Sequence, residues 1–361
     1  MLSTSHTRRL VPSHPSAQFI QQLPKVELHL HLETSLRLRR LAERMQQASV
    51  ASGQSASHAP NPFISGPHLV ADPTRFTGYD RLRRLRYASR AGQIADGLYT
   101  PENIDAITYE LLEEAAAHRL RYVEVRVGGR RGFTILGVRQ MLEAMAAARA
   151  RAEAALGIRS GFIITIVRER GPDEAEQRVR EAMACRDCGV VGVDLAGDEQ
   201  NYPPALFSRA LGLTREAGLG VTVHAGEFSG PASIWTAVYQ LGAQRIGHGI
   251  RAVEDPELLA YLRDHHITLE ICPTSNVRLG LCRSLAAHPL KRLLDSHVPV
   301  TVNSDDPMLL GTNITQELTA VAQAFGLSAP RVAEMMVTSA QAAFLPPHER
   351  NRLVGEIAAT R

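Results

Sequence analysis

One short segment of the sequence combines a metal-binding side chain with an acid. Residues 221–227 read Val-Thr-Val-His-Ala-Gly-Glu, an apolar strand-like run that ends in His224 and, three residues later, Glu227. A histidine ring nitrogen binds transition metals, and a carboxylate so close to it could move a proton on the molecule that the metal activates. A strand that closes in a polar turn would explain the same residues, so the chemical interpretation depends on the rest of the chain.

A second segment of this kind lies near the start of the chain. Residues 26–32 alternate strictly between apolar and polar side chains. A strand with this period of two places His29 and His31 on one face and three leucines on the other. With 14 histidines in 361 residues, a His-x-His pair arises easily by chance. Its position at a predicted strand end is what makes this pair a candidate metal site.

The remaining periodicity predicts how these segments are positioned. Strand-like runs alternate with stretches of helical periodicity, and the runs cover residues 26–32, 121–127, 161–167, 190–196, 220–224, 245–248, 267–272 and 298–303. This alternation predicts an α/β protein, a (β/α)8 TIM barrel with extra helices in the long gap after the first strand. A doubly wound open sheet is the alternative, although no glycine-rich phosphate loop follows any of the runs.

The domain organisation follows from composition and periodicity. Residues 1–20 have the composition of a flexible N-terminal arm, and residues 21–361 are expected to form a single barrel domain. Within that domain, residues 47–73 are rich in Ser, Ala, Gly, Pro and His and show no periodicity. This composition predicts a mobile loop insertion.

The overall composition is that of an ordinary soluble globular protein, with 44% hydrophobic residues, 21% charged residues and a formal net charge of +3. Basic and acidic residues are mixed along the chain, so we expect no nucleic-acid partner. The four cysteines are too few and too scattered for a disulfide framework, and no apolar run reaches the length of a membrane span. We therefore expect a cytoplasmic protein that does not bind membranes, whose oligomeric state the sequence does not indicate.

The ends of the predicted strands concentrate polar residues. In a (β/α)8 barrel the catalytic groups collect at the C-terminal ends of the strands, where they face one another across one mouth. In this chain those positions hold His29, His31, Gly197, His224, Glu227, His248, Asp305 and Asp306. So many ligand-type side chains at one mouth favour chemistry over a set of unrelated polar turns.

Three imidazoles, one carboxylate and an open position for water make a catalytic zinc site. The candidate ligands are His29, His31, His224 and Asp305. Zinc lowers the pKa of its water towards about 7, and removal of an exocyclic amine from an aromatic ring also needs a proton donor and a group that orients the hydroxide. Glu227 suits the first role and His248 the second.

Some of these residues also have simpler explanations. His248 lies between two glycines and could be a hydrogen-bonded turn residue, and the two aspartates before Pro307 could be a helix N-cap and first turn. Otherwise, Asp306 could hold a substrate ring through another nitrogen. Asn276 is expected to stabilise a loop, and His288 is expected to be a surface or structural residue.

Six motifs together resemble one known family. They are His29-Leu-His31-Leu-Glu33, Leu195-Ala-Gly-Asp-Glu199, His224-Ala-Gly-Glu227, Gly247-His-Gly249, Cys272-Pro-Thr-Ser-Asn276 and Ser304-Asp-Asp-Pro307. In this order, over about residues 23–345, they are similar to the adenosine deaminase family of metal-dependent hydrolases. The resemblance implies one zinc ion per chain on the four candidate ligands, with Glu227 as proton donor to purine N1 and His248 as the hydroxide-orienting residue. It also implies Asp306 at N7 and Gly197 at N3 of the purine.

The resemblance implies hydrolytic deamination of a 6-aminopurine nucleoside, with adenosine, giving inosine and ammonia, as the first expectation. Aminofutalosine deaminases of menaquinone synthesis, which act on an adenine nucleoside enlarged at the 5′ end, look similar around residues 230–235. Adenine deaminases of the family tend to replace Gly247 with aspartate, so free adenine ranks third. A non-catalytic nucleoside-binding protein and an amide- or ester-cleaving enzyme on the same barrel are the alternatives from other classes.

The chain departs from the family in two places. Thr34 stands where glycine is usual, which makes Thr34 a candidate substrate-binding residue on the ribose or 5′ side of the pocket. Residues 47–73 fall where the family places helices over the mouth of the active site. Both differences are expected to affect the choice of substrate rather than the reaction.

Overall fold

Eight parallel strands form a single sheet in the computed structural model, which describes residues 15–32, 79–82, 99–128 and 130–359. Each strand pairs with the next one in the sequence. The strands are β1 (Lys25–His31), β2 (Leu120–Val127), β3 (Arg159–Val167), β4 (Val190–Ala196), β5 (Gly220–Ala225), β6 (Arg245–His248), β7 (Thr268–Ile271) and β8 (Val300–Val302). The predicted (β/α)8 barrel is confirmed.

The first and last strands meet just beyond the end of β8. Leu30 and Asp305 form an isolated parallel bridge. The backbone N–H of His31 donates to the carbonyl oxygen of Asp305 over 2.9 Å, and the N–H of Asp305 donates to the carbonyl oxygen of His29 over 3.1 Å. The sheet is therefore nearly closed, and its seam lies among the residues predicted to bind metal.

Helices surround the strands. Those of the described part of the chain are α1 (Ala17–Gln22), α2 (Pro101–Ala117), α3 (Arg130–Leu136), α4 (Val138–Leu156), α5 (Gly171–Ala184), α6 (Ser208–Glu216), α7 (Pro231–Tyr239), α8 (Pro256–Asp264), α9 (Pro273–Arg278), α10 (Leu290–Asp295), α11 (Pro307–Leu310), α12 (Ile314–Phe325), α13 (Ala329–Ala342) and α14 (Pro347–Ala358). Prolines begin many of them, because a proline at the first turn lacks an N–H that would be unpaired there anyway.

Several predicted features fall on residues that the structure does not describe. Thr34, residues 47–73 and most of the segment expected to hold extra helices after β1 are among them, although residues 79–82 are helical. Of the predicted N-terminal arm, residues 1–14 lie outside the described part. The arm's last residues belong to α1, whose Ile20 is fully buried in the core.

Strand β8 is shorter than the sequence indicates, and on the β1 side a side chain takes the place of its backbone as hydrogen-bond partner. The Asn303 amide accepts a hydrogen bond from the Leu28 N–H over 2.9 Å and donates to the Ile271 carbonyl over 3.3 Å. Asn303 thus links β1 and β7 directly beyond the last residue of β8. Asparagine readily makes such bonds to backbone, which ends regular pairing.

The interior of the barrel contains paired charges as well as apolar side chains. Arg126 and Arg245 are fully buried. Arg126 Nε lies 3.3 Å from Asp194 Oδ2, and its guanidinium also contacts Glu270. Arg245 Nε lies 2.7 Å from Glu270 Oε1, and its guanidinium also contacts Glu124. Buried ions need such partners, and the network fixes two carboxylates next to the candidate site.

Two expectations about the chain as a whole concern cysteines and membranes. All four cysteines are free thiols, in agreement with the predicted lack of a disulfide framework. Among the described residues, none of the helices combines the length and the apolar character that crossing a bilayer would need.

Candidate active site

Three histidines from two strands meet at the C-terminal mouth of the barrel. His29 and His31 come from β1, and His224 comes from β5. Their potential ligand atoms all lie within 4.8 Å of one another, and all three residues are buried. The ring centroids of His29 and His224 are 4.7 Å apart. The period of two in β1 thus brings both of its histidines to one point, as the alternating sequence predicts.

Carboxylates hold two of these rings from behind. Nδ1 of His29 lies 2.9 Å from Glu270 Oε2, and Nδ1 of His224 lies 2.9 Å from Asp194 Oδ1. A carboxylate only accepts, so each Nδ1 donates its proton, and in the neutral form of each ring Nε2, which faces the cluster, then has a lone pair. Burial, together with the charge of Arg126, holds the pKa of His29 well below its ordinary value. His29 is therefore neutral, as a metal ligand must be.

Asp305 adds a carboxylate to this cluster. Its Oδ1 lies 3.4 Å from His31 Nε2 and 3.6 Å from His29 Nε2. Asp305 has a positive φ of 63°, an uncommon conformation for a residue other than glycine. Nε2 of His29 is buried and makes no hydrogen bond to the described residues. A buried lone pair without a donor, among two imidazoles and a carboxylate, is what a zinc ion would satisfy.

A cysteine that the sequence interpretation did not select also lies here. Cys272 Sγ is within 4.8 Å of donor atoms of His29, His248 and Asp305. Burial raises the pKa of the Cys272 thiol well above its ordinary value. Burial thus favours the protonated thiol, whereas metal binding requires the thiolate.

The proposed acid and the proposed orienting residue face each other beside the cluster. Nε2 of His248 lies 3.6 Å from Glu227 Oε1 and 4.0 Å from Asp305 Oδ2. Both Glu227 and His248 are almost completely buried. His248 has a positive φ of 60°. Backbone in this region is costly for a residue with a side chain and is found mainly where the surroundings impose it, often at functional sites.

Glu199 fixes the loop that contains Glu227. Its buried carboxylate accepts hydrogen bonds from four successive backbone N–H groups, those of Gly226 at 2.6 Å, Glu227 at 3.2 Å, Phe228 at 2.8 Å and Ser229 at 3.1 Å. The sequence motif contained Glu199, but the sequence alone assigned it no role. Its role in fixing the Glu227 loop becomes visible only in the structure, where the ends of β4 and β5 lie next to each other.

His248 is held by two residues from beyond β7. Its Nδ1 lies 3.2 Å from Asn276 Nδ2, and Asn276 Oδ1 lies 3.0 Å from Nε2 of His288. All three side chains are buried. His288 is thus structural, as one of the two sequence interpretations had it. Asn276 contacts a candidate catalytic residue in addition to its loop.

The remaining predicted residues differ in what the structure shows. Asp306 is fully buried, and one of its oxygens groups with donor atoms of His31 and Asp305. It occupies the N-cap position of α11 without a capping side-chain hydrogen bond, so the N-cap explanation does not account for it. Gly197 has φ 112°, and a Cβ there would lie 2.2 Å from Glu169 Oε2. Thr34 lies outside the described residues.

A cavity of about 460 Å³ opens next to Glu227. Its lining includes Asp198, Gln200 and Asn201 after β4, and Arg251 after β6. The guanidinium of Arg251 makes two hydrogen bonds to Glu254, at 2.7 and 2.9 Å. The cavity thus combines a buried acid at one end with polar side chains along its walls, as binding sites for small molecules do.

Comparison with known proteins connects this arrangement to a family. The family model described as adenosine deaminase matches residues 24–360, nearly the whole chain. The chain belongs to the adenosine deaminase family. Family membership makes it a hydrolase that acts on C–N bonds in cyclic amidines, an adenosine-deaminase-like hydrolytic deaminase. The family and the enzyme class expected from the motifs are confirmed.

Relatives within the adenosine deaminase family differ in their named substrates. The adenosine deaminase of Klebsiella pneumoniae (strain 342) is 34% identical over 338 residues, which cover 93% of this chain and 98% of that protein. The aminodeoxyfutalosine deaminase of Streptomyces avermitilis is 34% identical over 345 residues, which cover 94% and 91%. A crystal structure of an amidohydrolase from Burkholderia ambifaria with bound Zn has a TM-score of 0.78 at 26% identity and covers 97% of each chain.

Proposed function

We propose that this protein deaminates a 6-aminopurine nucleoside by hydrolysis, with adenosine as the first substrate and inosine and ammonia as products. The observation that supports this proposal is the complete set of groups at one mouth. The donor atoms of three imidazoles lie within 4.8 Å of one another, Asp305 Oδ1 lies 3.4 and 3.6 Å from two of them, and a second carboxylate and a fourth imidazole lie beside them. A protein that only bound nucleosides would not need this set.

The metal of the proposed reaction is one zinc ion per chain. The residues that would hold it are His29, His31, His224 and Asp305. Neutral imidazoles and a carboxylate with an open position favour zinc over harder cations. When bound, zinc acts as a Lewis acid that makes a water reactive at neutral pH.

The other residues act directly on the purine and the water. Glu227 protonates N1 of the ring, which makes C6 more electrophilic towards the water oxygen. The C6–N6 bond then breaks, one proton of the water passes to the leaving nitrogen and the other returns to Glu227, and ammonia and the 6-oxopurine result. His248 orients the attacking oxygen. Asp306 holds N7, and the backbone of Gly197 contacts N3. A side chain at position 197 would collide with Glu169, so this position suits only glycine.

The 5′ substituent of the nucleoside is the open part of the proposal. The cavity of about 460 Å³ beside Glu227 offers polar side chains to a sugar and room for an extension. This favours a nucleoside over free adenine. Gly247 favours the same choice, because adenine deaminases of the family tend to have aspartate at this position. A Cβ there would lie 3.1 Å from His224 Nδ1. The second candidate is therefore a 5′-extended adenine nucleoside of the aminofutalosine type, and adenine is the third.

A competition experiment tests the proposal. Adenosine, a 5′-extended adenosine and adenine are compared by kcat/KM on zinc-loaded protein at one pH. We expect the highest value for adenosine. A higher value for the extended nucleoside would assign the protein to the second candidate. Absence of turnover of all three purines, with zinc bound, would contradict the proposed function and favour a binding protein or an amide- or ester-cleaving enzyme.

A further inference from the structure

A chain of three buried side chains leads from a backbone amide to His248. The N–H of Leu290 donates to His288 Nδ1 over 3.0 Å. His288 Nε2 lies 3.0 Å from Asn276 Oδ1, and Asn276 Nδ2 lies 3.2 Å from His248 Nδ1. His248 is 1% exposed, Asn276 0% and His288 3%. Bulk water therefore does not compete for these hydrogen bonds.

The direction of each bond follows from the first one. A backbone N–H can only donate, so Nδ1 of His288 is an acceptor and the proton of the neutral ring is on Nε2. That N–H donates to an oxygen, which fixes the orientation of the Asn276 amide. The amide NH2 then faces His248 and donates to its Nδ1. Nδ1 of His248 is therefore an acceptor, and the proton of a neutral His248 is on Nε2.

His288 is neutral on independent grounds as well, and the geometry fixes the state of His248. Burial lowers the pKa of His288 to about 4. Nδ1 of His248 accepts the hydrogen bond from the Asn276 amide, so this ring has a single proton. Neutral imidazoles have one donor and one acceptor nitrogen, so the argument from the backbone amide leaves a single arrangement.

We propose that Asn276 and His288 are positioning residues that hold His248 in the tautomer with its proton on Nε2, so that His248 acts on the attacking water as a hydrogen-bond donor. This inference rests on the proposed function. Nε2 of His248 points towards Glu227 Oε1 and Asp305 Oδ2, at 3.6 and 4.0 Å. A donor there aligns the water oxygen and leaves its lone pair for C6. The protons that the water loses pass to Glu227, which has given its own proton to N1, and to the leaving nitrogen instead of to His248.

The tautomer is measured directly by 15N NMR of the histidine side chains in the zinc-loaded full-length protein. The signals of His248 are assigned by their loss in His248→Asn. We expect Nε2 of His248 to show the chemical shift and one-bond proton coupling of an N–H nitrogen, and Nδ1 the shift of an unprotonated one. The reverse pattern, or two protonated nitrogens, overturns the inference.

Substitutions at two positions test the chain of bonds. In Asn276→Asp both oxygens accept, so His248 must place its proton on Nδ1. We expect the NMR pattern to reverse and kcat to fall by at least about 100-fold, with KM within about threefold and zinc content unchanged. His288→Leu removes the donor to Asn276 and is expected to lower kcat, whereas His288→Gln, which retains an N–H donor, is expected to restore most of it.

The outcomes separate this inference from the proposed function. If the unaltered protein deaminates none of the purines, the proposed function fails, whatever the tautomer. If it deaminates a purine but Nε2 of His248 is unprotonated, the inference alone fails. Equal kcat values for His288→Leu, His288→Gln and the unaltered protein would also contradict it. Should Asn276→Asp not fold, the spectrum of the unaltered protein and the two His288 variants still decide.

Discussion

Asp194 Oδ1 lies 2.9 Å from Nδ1 of His224, on the side of the ring that faces away from the other candidate ligands. Burial alone would raise the pKa of Asp194, but His224 and Arg126 outweigh it and hold that pKa well below its usual range. The carboxylate is therefore ionised. Arg126 also contacts Glu270, the partner of His29. One guanidinium thus links the supports of candidate ligands from β1 and β5.

Asp194→Asn should weaken zinc binding without abolishing the fold. The amide can still accept the proton of His224 Nδ1, but it no longer contributes a negative charge that makes the imidazole a stronger ligand. We expect zinc affinity, measured by competition with a chelator, to fall by about 10- to 100-fold. Asp187→Asn is the matched control, because Asp187 pairs with Arg139 on the surface. Equal affinities of both variants would mean that Asp194 does not support the metal.

His31→Ala should remove both the metal and the activity, because His31 is one of the proposed ligands. Elemental analysis of the unaltered protein is expected to give one zinc per chain. The variant is expected to contain less than a tenth of that and to show no turnover. His348→Ala, at an exposed histidine, serves as the control. Active protein that contains no first-row metal would rule out the proposed centre.

Glu227→Gln should separate the proton transfer from metal binding. Glu227 is not among the proposed ligands, so zinc content should stay the same, but an amide cannot donate and regain the proton. We expect kcat to fall by about 10²- to 10⁴-fold. The exposed Glu257→Gln is expected to have normal kcat. Loss of zinc in Glu227→Gln would move Glu227 into the metal shell, and a kcat close to normal would remove it from the mechanism.

His288 should make the stability of the protein sensitive to pH in the acidic range. Its pKa is about 4 in the folded state against an ordinary 6.5. Between pH 4 and pH 6.5 the unfolded chain binds a proton on His288 that the folded chain does not. The free energy of unfolding is therefore highest, as far as this group is concerned, above pH 6.5 and decreases as the pH falls towards 4. The difference corresponds to roughly 3 kcal/mol.

His288→Gln lacks this titration and provides the comparison. Chemical denaturation of both proteins from pH 4 to pH 7 should show a steeper loss of the free energy of unfolding in the unaltered protein. Other titrating groups act equally in both proteins and cancel in the difference. Parallel curves would show that His288 has an ordinary pKa in the folded state.

Thr34→Gly should change the choice between substrates rather than the reaction. If Thr34 borders the sugar side of the pocket, its methyl and hydroxyl either fill space or bond to a group of the substrate. We expect the ratio of kcat/KM for adenosine to that for a 5′-extended adenosine to change more than tenfold, about 1.4 kcal/mol. Thr34→Ser, which retains the hydroxyl, separates the two effects. An unchanged ratio in both variants would direct the search for specificity to residues 47–73.

Local sequence patterns were sufficient to predict the barrel and to predict that the histidines lie together. The alternation around His29 and His31 encodes a strand face, and barrel geometry gathers strand ends at one mouth. The supports of the site were not predictable in this way. Glu270 lies within an ordinary strand pattern, and His288 lies in a loop. Their roles depend on contacts between distant parts of the chain, and no local periodicity records such contacts.

The seam between β1 and the end of β8 has a consequence for how the protein is made. His29 and His31 leave the ribosome early, whereas Asp305 follows nearly the whole barrel. A nascent chain therefore holds imidazoles from β1 and β5 without the carboxylate that completes the set. If these residues bind zinc as proposed, the full ligand set exists only once synthesis has passed Asp305, and a chain that ends before Asp305 lacks the carboxylate ligand. Tight retention of zinc would thus report that the chain extends past the seam between β1 and the end of β8.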